Sequence, residues 1–300
     1  MDLTATMRRL ISNPSVLINY PQQKLEDRYD KYVWTPLYST NVFEAEWDLC
    51  VVLDACRVDM AKRATDQRSW LPNPETRWSV GSNSTSWYER TVSGAKKDIL
   101  ADTALISGNP HSDVVRDIDW GLLDEVWTYA FDEEFGTTLP RPITDRAISV
   151  SRDYNMDRLL IHYMQPHLPP VQTSAPDLGW NPETQDWHDG DPWTRAANGE
   201  LDPEYVERLY RENLDPVLDD VALLLDNVEA ETAVITADHG NYVGENDKWS
   251  HPLNDRGLSV RQVPWWETTA TDKGTHEPES YDRSTADVSQ MDQLKALGYR

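Results

Sequence analysis

Two apolar segments, each ending in polar residues, constrain the fold of this chain more than any other feature. The segment "WDLCVVLD" ends at Asp54, and the segment "AVITADHGNY" carries adjacent Asp238 and His239. Continuous apolar runs of this length are typical of strands that are covered on both faces. A carboxylate and an imidazole are costly to bury without partners, so their position at strand ends indicates that they hold something.

Strand patterns and helix patterns alternate along the rest of the chain. Further strands are predicted at "TRWSV", "TALISG", "EVWTYA" and "DRLLIHYM". Helices are predicted from Arg57, at "STSWYERTV", over Ile143–Tyr154, over Pro203–Asp226 and at "VSQMDQLKALGY". This alternation predicts an α/β protein with a doubly wound, largely parallel sheet.

The organisation of the chain follows from its composition shifts. We expect residues 1–40 to form an N-terminal arm and residues 41–300 to form one domain. Residues 165–200 are rich in Pro, Asp, Gly and Trp and are too long for a simple connection, which favours a lid or substrate loop. No internal repeat is visible.

The charge of the chain excludes some partners. The formal net charge is −24, and 8 Lys stand against 20 Arg. A hydrated carboxylate surface with few lysines is expected of a halophilic archaeon, and it argues against binding nucleic acid. Two cysteines are too few for a disulfide framework, which predicts a cytoplasmic location. We expect no transmembrane segment, and nothing indicates the oligomeric state.

Potential ligands collect where predicted strands end. In open α/β sheets, ligands bind at the carboxyl ends of the strands. Asp and neutral His bind Zn²⁺ and Mn²⁺, whereas Mg²⁺ and Ca²⁺ favour carboxylates. A metal beside a Ser or Thr hydroxyl can turn it into a nucleophile, and a helix N-terminus suits an anionic group. The pattern predicts a metal site with a bound nucleophile, formed by Asp54, Thr85, Asp238 and His239.

Four further histidines are candidates near this site. His167 and His251 could complete a second metal site or act on the leaving group. His162 lies within a strand and is as consistent with a core histidine as with a ligand. His111, in "GNPHS", is either a turn residue or a contact of the site.

Five short segments, in this order, resemble the alkaline phosphatase/sulfatase superfamily. They are "VVLDACRVDM", "ISGNPH", "HYMQPHLP", "ITADHGN" and "QLKALGY", and the resemblance extends over about residues 45 to 300. It implies an alkaline phosphatase-like α/β/α sandwich in which 41–300 is the catalytic domain. It also implies a divalent metal cofactor, Zn, Mn, Mg or Ca, as one or two ions.

The resemblance also implies roles for individual residues. Thr85 falls where the nucleophile of the superfamily begins its helix, and Ser84 is the competing choice. His167 is expected to act on the transferred group. The metal ligands implied are Asp54, Thr85, His167, Asp238, His239 and His251.

Two departures from the sulfatase pattern favour phosphate over sulfate. Many sulfatases carry paired aspartates where this chain has Asp54–Ala55, and the Cys/Ser-x-Pro-x-Arg motif is missing. The sequence therefore predicts a metal-dependent hydrolase or transferase that acts on a phosphate ester of a small molecule, glycan or lipid headgroup. The alternatives are a sulfate-ester hydrolase and a catalytically silent protein that binds a phosphorylated or sulfated glycan.

Overall fold

The structure, a computed structural model, describes residues 24–171, 178, 180–181, 183–184, 186–187 and 190–282. The chain divides into two units, Met1–Ser39 and Thr40–Arg300. In the first unit, residues 24–38 are helical and include a π-helical turn, Asp30–Trp34, before the last turn, Thr35–Tyr38. The C-terminal helix predicted at "VSQMDQLKALGY" lies outside the described residues.

A seven-stranded sheet forms the centre of the second unit. The strands in chain order are β1 (Leu49–Asp54), β2 (Glu75–Trp78), β3 (Thr103–Ser107), β4 (Leu122–Glu125), β5 (Phe131–Asp132), β6 (Thr137–Thr138), β7 (Arg158–Pro166), β8 (Trp180–Asn181), β9 (Asp186–Trp187), β10 (Ala230–Ala237), β11 (Tyr242–Val243), β12 (Trp249–Ser250) and β13 (Gln262–Ala270). The central sheet has the order β2-β13-β10-β1-β7-β3-β4, and three two-stranded ribbons are β5-β6, β8-β9 and β11-β12. Within the central sheet β13 alone runs in the direction opposite to the other six strands. The predicted α/β class with a largely parallel sheet is confirmed.

Helices cover both faces of this sheet. They are α1 (Val58–Gln67), α2 (Ser84–Gly94), α3 (Lys97–Ala101), α4 (Pro140–Asp153), α5 (Pro192–Ala197), α6 (Pro203–Glu212), α7 (Leu214–Leu225) and α8 (Leu258–Arg261). Short 3₁₀ turns lie at Val42–Glu44, Pro110–Val115, Val126–Thr128 and Glu245–Asp247.

The apolar run of β1 is continuous because its side chains enter two cores. Leu49, Val51 and Leu53 pack in the core that contains α1, α4, α6 and α7. Cys50 and Val52 pack in the core on the other face, with residues of α2 and α3. Successive strand residues point to opposite faces, so a strand between two helical layers has no polar face. This confirms the α/β/α sandwich.

One predicted helix is in fact two. The prediction of a single helix over 203–226 is wrong, because α6 ends at Glu212 and α7 begins at Leu214. Pro216 lies in the first turn of α7, where the missing N–H has no intrahelical partner to lose. The residue at the break, Asn213, is 1% exposed.

The predicted strand "EVWTYA" is also wrong in part. β4 ends at Glu125, and the chain continues as the 3₁₀ turn Val126–Thr128. Val126 and Trp127 are buried all the same. A short apolar run reads alike as a strand or as a buried turn.

Two sequence expectations concern cysteines and membrane spans. Cys50 and Cys56 are both buried and carry free thiols. Burial raises the pKa of each thiol. Across the described residues, every helix is too short or too polar to span a bilayer.

Candidate metal centre and active site

The register of the sheet brings the two strand-end carboxylates together. β10 and β1 are parallel neighbours in which Leu53 pairs with Ala237, so Asp54 and Asp238 come next on adjacent strands. β7 lies on the other side of β1. Both carboxylates are fully buried. Two carboxylates at the same level of neighbouring strands require a cation, a proton or strong donors.

The backbone after each strand is shaped to fit this edge. Ala55 adopts a left-handed conformation, with φ of 60°. Its N–H donates to Asp238 Oδ1 at 3.0 Å. A side chain on Gly240 would place its Cβ 2.2 Å from the Ser259 carbonyl oxygen, so this position of the "ADHGN" segment needs glycine. Strained and close-packed backbone of this kind concentrates at functional sites.

Ser84 is the hydroxyl that reaches the two carboxylates. Asn83 caps α2 by accepting from the Ser86 N–H, which makes Ser84 the first residue of the helix. The fully buried Ser84 Oγ donates to Asp238 Oδ2 at 2.8 Å and lies 3.3 Å from Asp54 Oδ2. A hydroxyl, a helix N-terminus and two carboxylates therefore meet at one point.

The neighbouring hydroxyl, that of Thr85, points to a different group. Its Oγ1 lies 2.9 Å from Nδ1 of His111, and Thr85 is only partly buried. Burial lowers the pKa of His111 to about 4, so this imidazole is neutral near pH 7. The structure thus separates the two hydroxyls that the sequence left as alternatives: Ser84 faces the carboxylates and Thr85 faces His111.

The unprotonated ring nitrogen of His239 faces Asp54, Ser84 and Asp238. Its Nδ1 lies 2.8 Å from the Gly240 carbonyl oxygen, which requires the proton on Nδ1. Burial lowers the pKa of His239, so the ring is neutral and Nε2 is unprotonated. A carbonyl oxygen that accepts from one ring nitrogen, and so leaves the other nitrogen unprotonated, is the usual arrangement for a metal-binding histidine.

The sequence left open whether His162 is a core residue or a ligand. In the structure it lies beside Asp54 and Asp238. One ligand atom each of Asp54, His162 and Asp238 lie within 4.8 Å of one another, and all three residues are buried. Asp54 Oδ1 and His162 Nε2 are both buried without a hydrogen-bond partner. Tyr88, which lies four residues after Ser84 on the same face of α2, contacts the His162 ring.

The separations measured between these atoms are close to those between two ligands of one ion. Ligands about 2.1 Å from one ion at tetrahedral angles lie about 3.4 Å apart. His239 Nε2 lies 3.3 Å from Asp238 Oδ2, 3.6 Å from Asp54 Oδ1 and 3.5 Å from Ser84 Oγ. His162 Nε2 lies 3.6 Å from Asp238 Oδ2. Carboxylates, neutral imidazoles and a hydroxyl form a donor set suited to Zn²⁺ or Mn²⁺.

The two carboxylates differ in their electrostatics. Burial, and then the charge of Asp238, raise the pKa of Asp54 well above its usual value. Burial opposes ionisation of Asp238 as well, but its pKa is lowered all the same, and the Ala55 N–H is among the groups that lower it. Divergent pKa values in a buried pair are characteristic of functional sites.

His167 and His251 line the neighbouring space. The ring centroids of His251 lie 4.6 Å from His239 and 5.2 Å from His167. The Leu168 carbonyl oxygen lies 2.6 Å from His167 Nδ1. Burial lowers the pKa of His167 to about 4 and also lowers that of His251. Both rings are therefore neutral near pH 7.

The amide of Asn241 fixes the tautomer of His251. Asn241 Nδ2 donates to the Tyr242 carbonyl, so its Oδ1 is the atom that lies 3.0 Å from His251 Nδ1. The proton of His251 therefore sits on Nδ1. Among the described residues, the ligand atoms of Asp54, His162 and Asp238 lie close enough together to hold an ion, and no second group of this kind forms around His167 and His251.

Comparisons with known proteins support the fold. No family model and no curated protein matches the chain. The integral membrane lipooligosaccharide phosphoethanolamine transferase A (EptA) from Neisseria meningitidis superposes with a TM-score of 0.54 at 14% identity, covering 92% of this chain and 59% of that one. The chain thus spans about three fifths of the length of that transferase.

Two further solved structures are similar at lower scores. The soluble domain of the same transferase has a TM-score of 0.49 at 14% identity, covering 84% of this chain and 89% of that one. A sulfatase candidate from Bacteroides thetaiotaomicron has a TM-score of 0.49 at 12% identity, with 84% and 70% covered. The chain therefore shares the fold of the phosphoethanolamine transferase, which confirms the predicted alkaline phosphatase-like α/β fold.

Proposed function

We propose that this chain is a metal-dependent transferase or hydrolase that acts on a phosphate ester through a covalent intermediate on Ser84. The observation that carries the proposal is the position of Ser84 Oγ, which lies within 3.5 Å of Asp54, Asp238 and His239 on the first residue of α2. A serine acts as a nucleophile when its hydroxyl lies beside a bound metal ion that lowers its pKa. The carboxylate and imidazole groups around Ser84 Oγ are the ligands that such an ion requires.

The residues that would hold the ion are Asp54, Ser84, His162, Asp238 and His239. A divalent cation bound there supplies positive charge that lowers the pKa of the Ser84 hydroxyl and offsets the two carboxylates. His167 and His251 are kept for the reacting groups in this proposal, because the closely spaced ligand atoms belong to Asp54, His162 and Asp238, and His239 Nε2 lies within 3.6 Å of both carboxylates. One ion is therefore proposed rather than two.

The chain's own residues account for both halves of the reaction. Ser84 Oγ releases its proton to solvent and attacks the phosphorus, so an Oγ–P bond forms, the bond from phosphorus to the leaving oxygen breaks, and the leaving oxygen takes up a proton. Water or an acceptor hydroxyl then attacks the phosphorus, and Ser84 Oγ departs and regains a proton. The unprotonated Nε2 atoms of His167 and His251 can take the proton of that attacking hydroxyl.

The charge of the site favours a monoanionic group. Two carboxylates balance the charge of one divalent ion, and the pKa values of His111, His167 and His251 leave them neutral near pH 7. Arg57 is paired with Asp59 and Glu245. Such a site stabilises one negative charge better than two, which supports a phosphodiester over a phosphate monoester. A sulfate monoester carries the same single charge and is the competing substrate class.

The test is turnover of aryl phosphate monoester, aryl phosphodiester and aryl sulfate probes with Zn²⁺, Mn²⁺, Mg²⁺ or Ca²⁺ added, followed by mass spectrometry of acid-quenched protein. We expect metal-dependent cleavage of the diester and an adduct on Ser84. Ser84→Ala should lower turnover by about 10³-fold or more. Thr85→Val is the matched control and should keep the adduct.

Other outcomes would change the proposal in defined ways. An adduct on Thr85, or turnover that survives Ser84→Ala, would contradict Ser84 as the nucleophile. Faster cleavage of the aryl sulfate would assign the site to sulfate esters. Metal binding without turnover of any probe would favour the silent glycan-binding alternative.

The setting of the reaction is proposed from the composition. A net charge of −24 with 8 Lys supports function in a salt-rich cytoplasm. The transferred group then comes from a small molecule, a glycan or a lipid headgroup ester that reaches this compartment.

A further inference from the structure

A buried tyrosine connects His162 to the end of strand β3. The Tyr88 hydroxyl lies 2.7 Å from His162 Nδ1 and 2.8 Å from Ser107 Oγ. Tyr88 is 1% exposed, and His162 and Ser107 are fully buried. In this environment each proton of the network must have a defined position, because an unmade hydrogen bond is costly.

The direction of the protons follows from the partners of Ser107. Its Oγ accepts from the Asn109 N–H at 3.0 Å and can donate its single proton to the Asn109 carbonyl at 3.2 Å. Tyr88 then donates to Ser107, and His162 donates from Nδ1 to Tyr88. This order leaves His162 Nε2 unprotonated.

The opposite order of protons makes fewer hydrogen bonds. If Ser107 donated to Tyr88 and Tyr88 donated to His162, the proton of the neutral ring would sit on Nε2. The nearest carboxylate oxygen there, Asp238 Oδ2, is 3.6 Å away, which exceeds hydrogen-bond distance. The bond from Ser107 to the Asn109 carbonyl would also be lost.

We infer that Tyr88 is a positioning residue that holds His162 with its proton on Nδ1 and thereby makes Nε2 a ligand of the metal. The inference rests on the proposed function, since it assumes that an ion binds at this site. In this role Tyr88 acts through His162 and does not need to contact the substrate. A hydrogen-bond partner on the other ring nitrogen sets the orientation and basicity of a ligand histidine.

Asn109 connects the same network to a second ligand. Its Oδ1 accepts from the His111 N–H at 2.8 Å, so its Nδ2 is the atom that donates to Asp54 Oδ2 at 2.7 Å. The residue whose backbone sets the direction of the Ser107 proton therefore also orients Asp54. One hydrogen-bonded network serves two ligands from different strands.

The test compares Zn²⁺ affinity, by chelator competition, in the wild type, Tyr88→Phe and Tyr163→Phe. Tyr163 is the matched control, because its buried hydroxyl bonds Thr144 on the other face of the sheet. We expect Tyr88→Phe to weaken Zn²⁺ binding by about 10- to 100-fold. Tyr163→Phe should leave affinity unchanged, although both variants lose a buried hydroxyl and a comparable amount of thermal stability.

Two additional measurements keep the inference falsifiable if Tyr88→Phe folds poorly. Ser107→Ala should weaken Zn²⁺ binding in the same direction, and Tyr88→Phe should have no further effect once His162→Gln is present. Nitrogen NMR of the zinc-loaded wild type should show the His162 proton on Nδ1. Unchanged affinity in Tyr88→Phe, or a proton on Nε2, would overturn the inference while the metal site stands. A wild type that binds no metal would overturn both.

Discussion

At the scale of single residues, His111 should make stability depend on pH. Its folded pKa is about 4, against about 6.5 in an unfolded chain. Below pH 6.5 the unfolded state binds a proton that the folded state does not, so the free energy of unfolding falls as the pH drops towards 4 and then levels off. Relative to His111→Gln, the wild type should lose at most about 3 kcal/mol over this range.

Urea unfolding at several pH values measures this difference. Gln can still hydrogen-bond Thr85 but does not titrate, so the comparison isolates the imidazole from the other histidines. Parallel pH profiles for the two proteins would contradict the prediction, because they would show that His111 has the same pKa in the folded and unfolded states.

The choice between Ser84 and Thr85 shows what the sequence could not supply at this scale. Both hydroxyls lie at the predicted helix start, and motif position alone favoured Thr85. Consecutive residues of a helix point about 100° apart, so only the rotation of α2 against the sheet decides which hydroxyl faces the carboxylates. The positions of Asp54 and Asp238 could be predicted without knowing the rotation of α2. A residue at the end of a buried parallel strand lies at the edge of the sheet where ligands bind, wherever the helices lie.

At the scale of elements, the break between α6 and α7 holds the segment that carries His167. Asn213 Nδ2 lies 2.9 Å from the His167 carbonyl and 3.2 Å from the carbonyls of Pro166 and Pro169. Its Oδ1 accepts from the Val171 N–H at 3.0 Å. We expect Asn213→Ala to destabilise the fold by about 2–3 kcal/mol, because it leaves buried carbonyls without a donor, and to slow turnover.

Asn227→Ala is the control for this prediction. Asn227 is equally buried at the end of α7, but it bonds Leu223, Thr275 and His276 rather than the His167 segment. Both variants should unfold at lower urea concentration, and only Asn213→Ala should lower kcat under native conditions. Equal kcat values would show that the His167 segment holds its position without Asn213.

The sequence predicted elements better than it predicted their ends. The strands β1, β3, β7 and β10 could be predicted from their apolar composition. Three of them, β1, β7 and β10, position most of the ligand residues of the site. The break at Asn213 was missed because apolar residues continue at helical spacing on both sides of it. Pro216 was the available signal, since proline favours the first turn of a helix over its interior.

At the scale of the whole molecule, the charge of −24 should make stability depend on salt. Repulsion between surface carboxylates disfavours the folded state, and salt screens it. Raising KCl from 0.1 to 1 M should raise Tm by roughly 5 °C, if screening recovers about 2 kcal/mol. Calorimetry in KCl and in choline chloride should give the same rise, whereas a rise in KCl alone would indicate specific K⁺ binding instead.

The raised pKa of Asp54 has a consequence for the protonation state of the folded, metal-free protein. Two carboxylates meet at the centre of the sheet, and burial together with Asp238 keeps a proton on Asp54 well above its usual pKa. That proton compensates the charge of the buried pair while no cation is bound. If the proposed ion binds at this site, it takes the place of the proton on Asp54, so metal binding should release a proton and weaken as the pH falls.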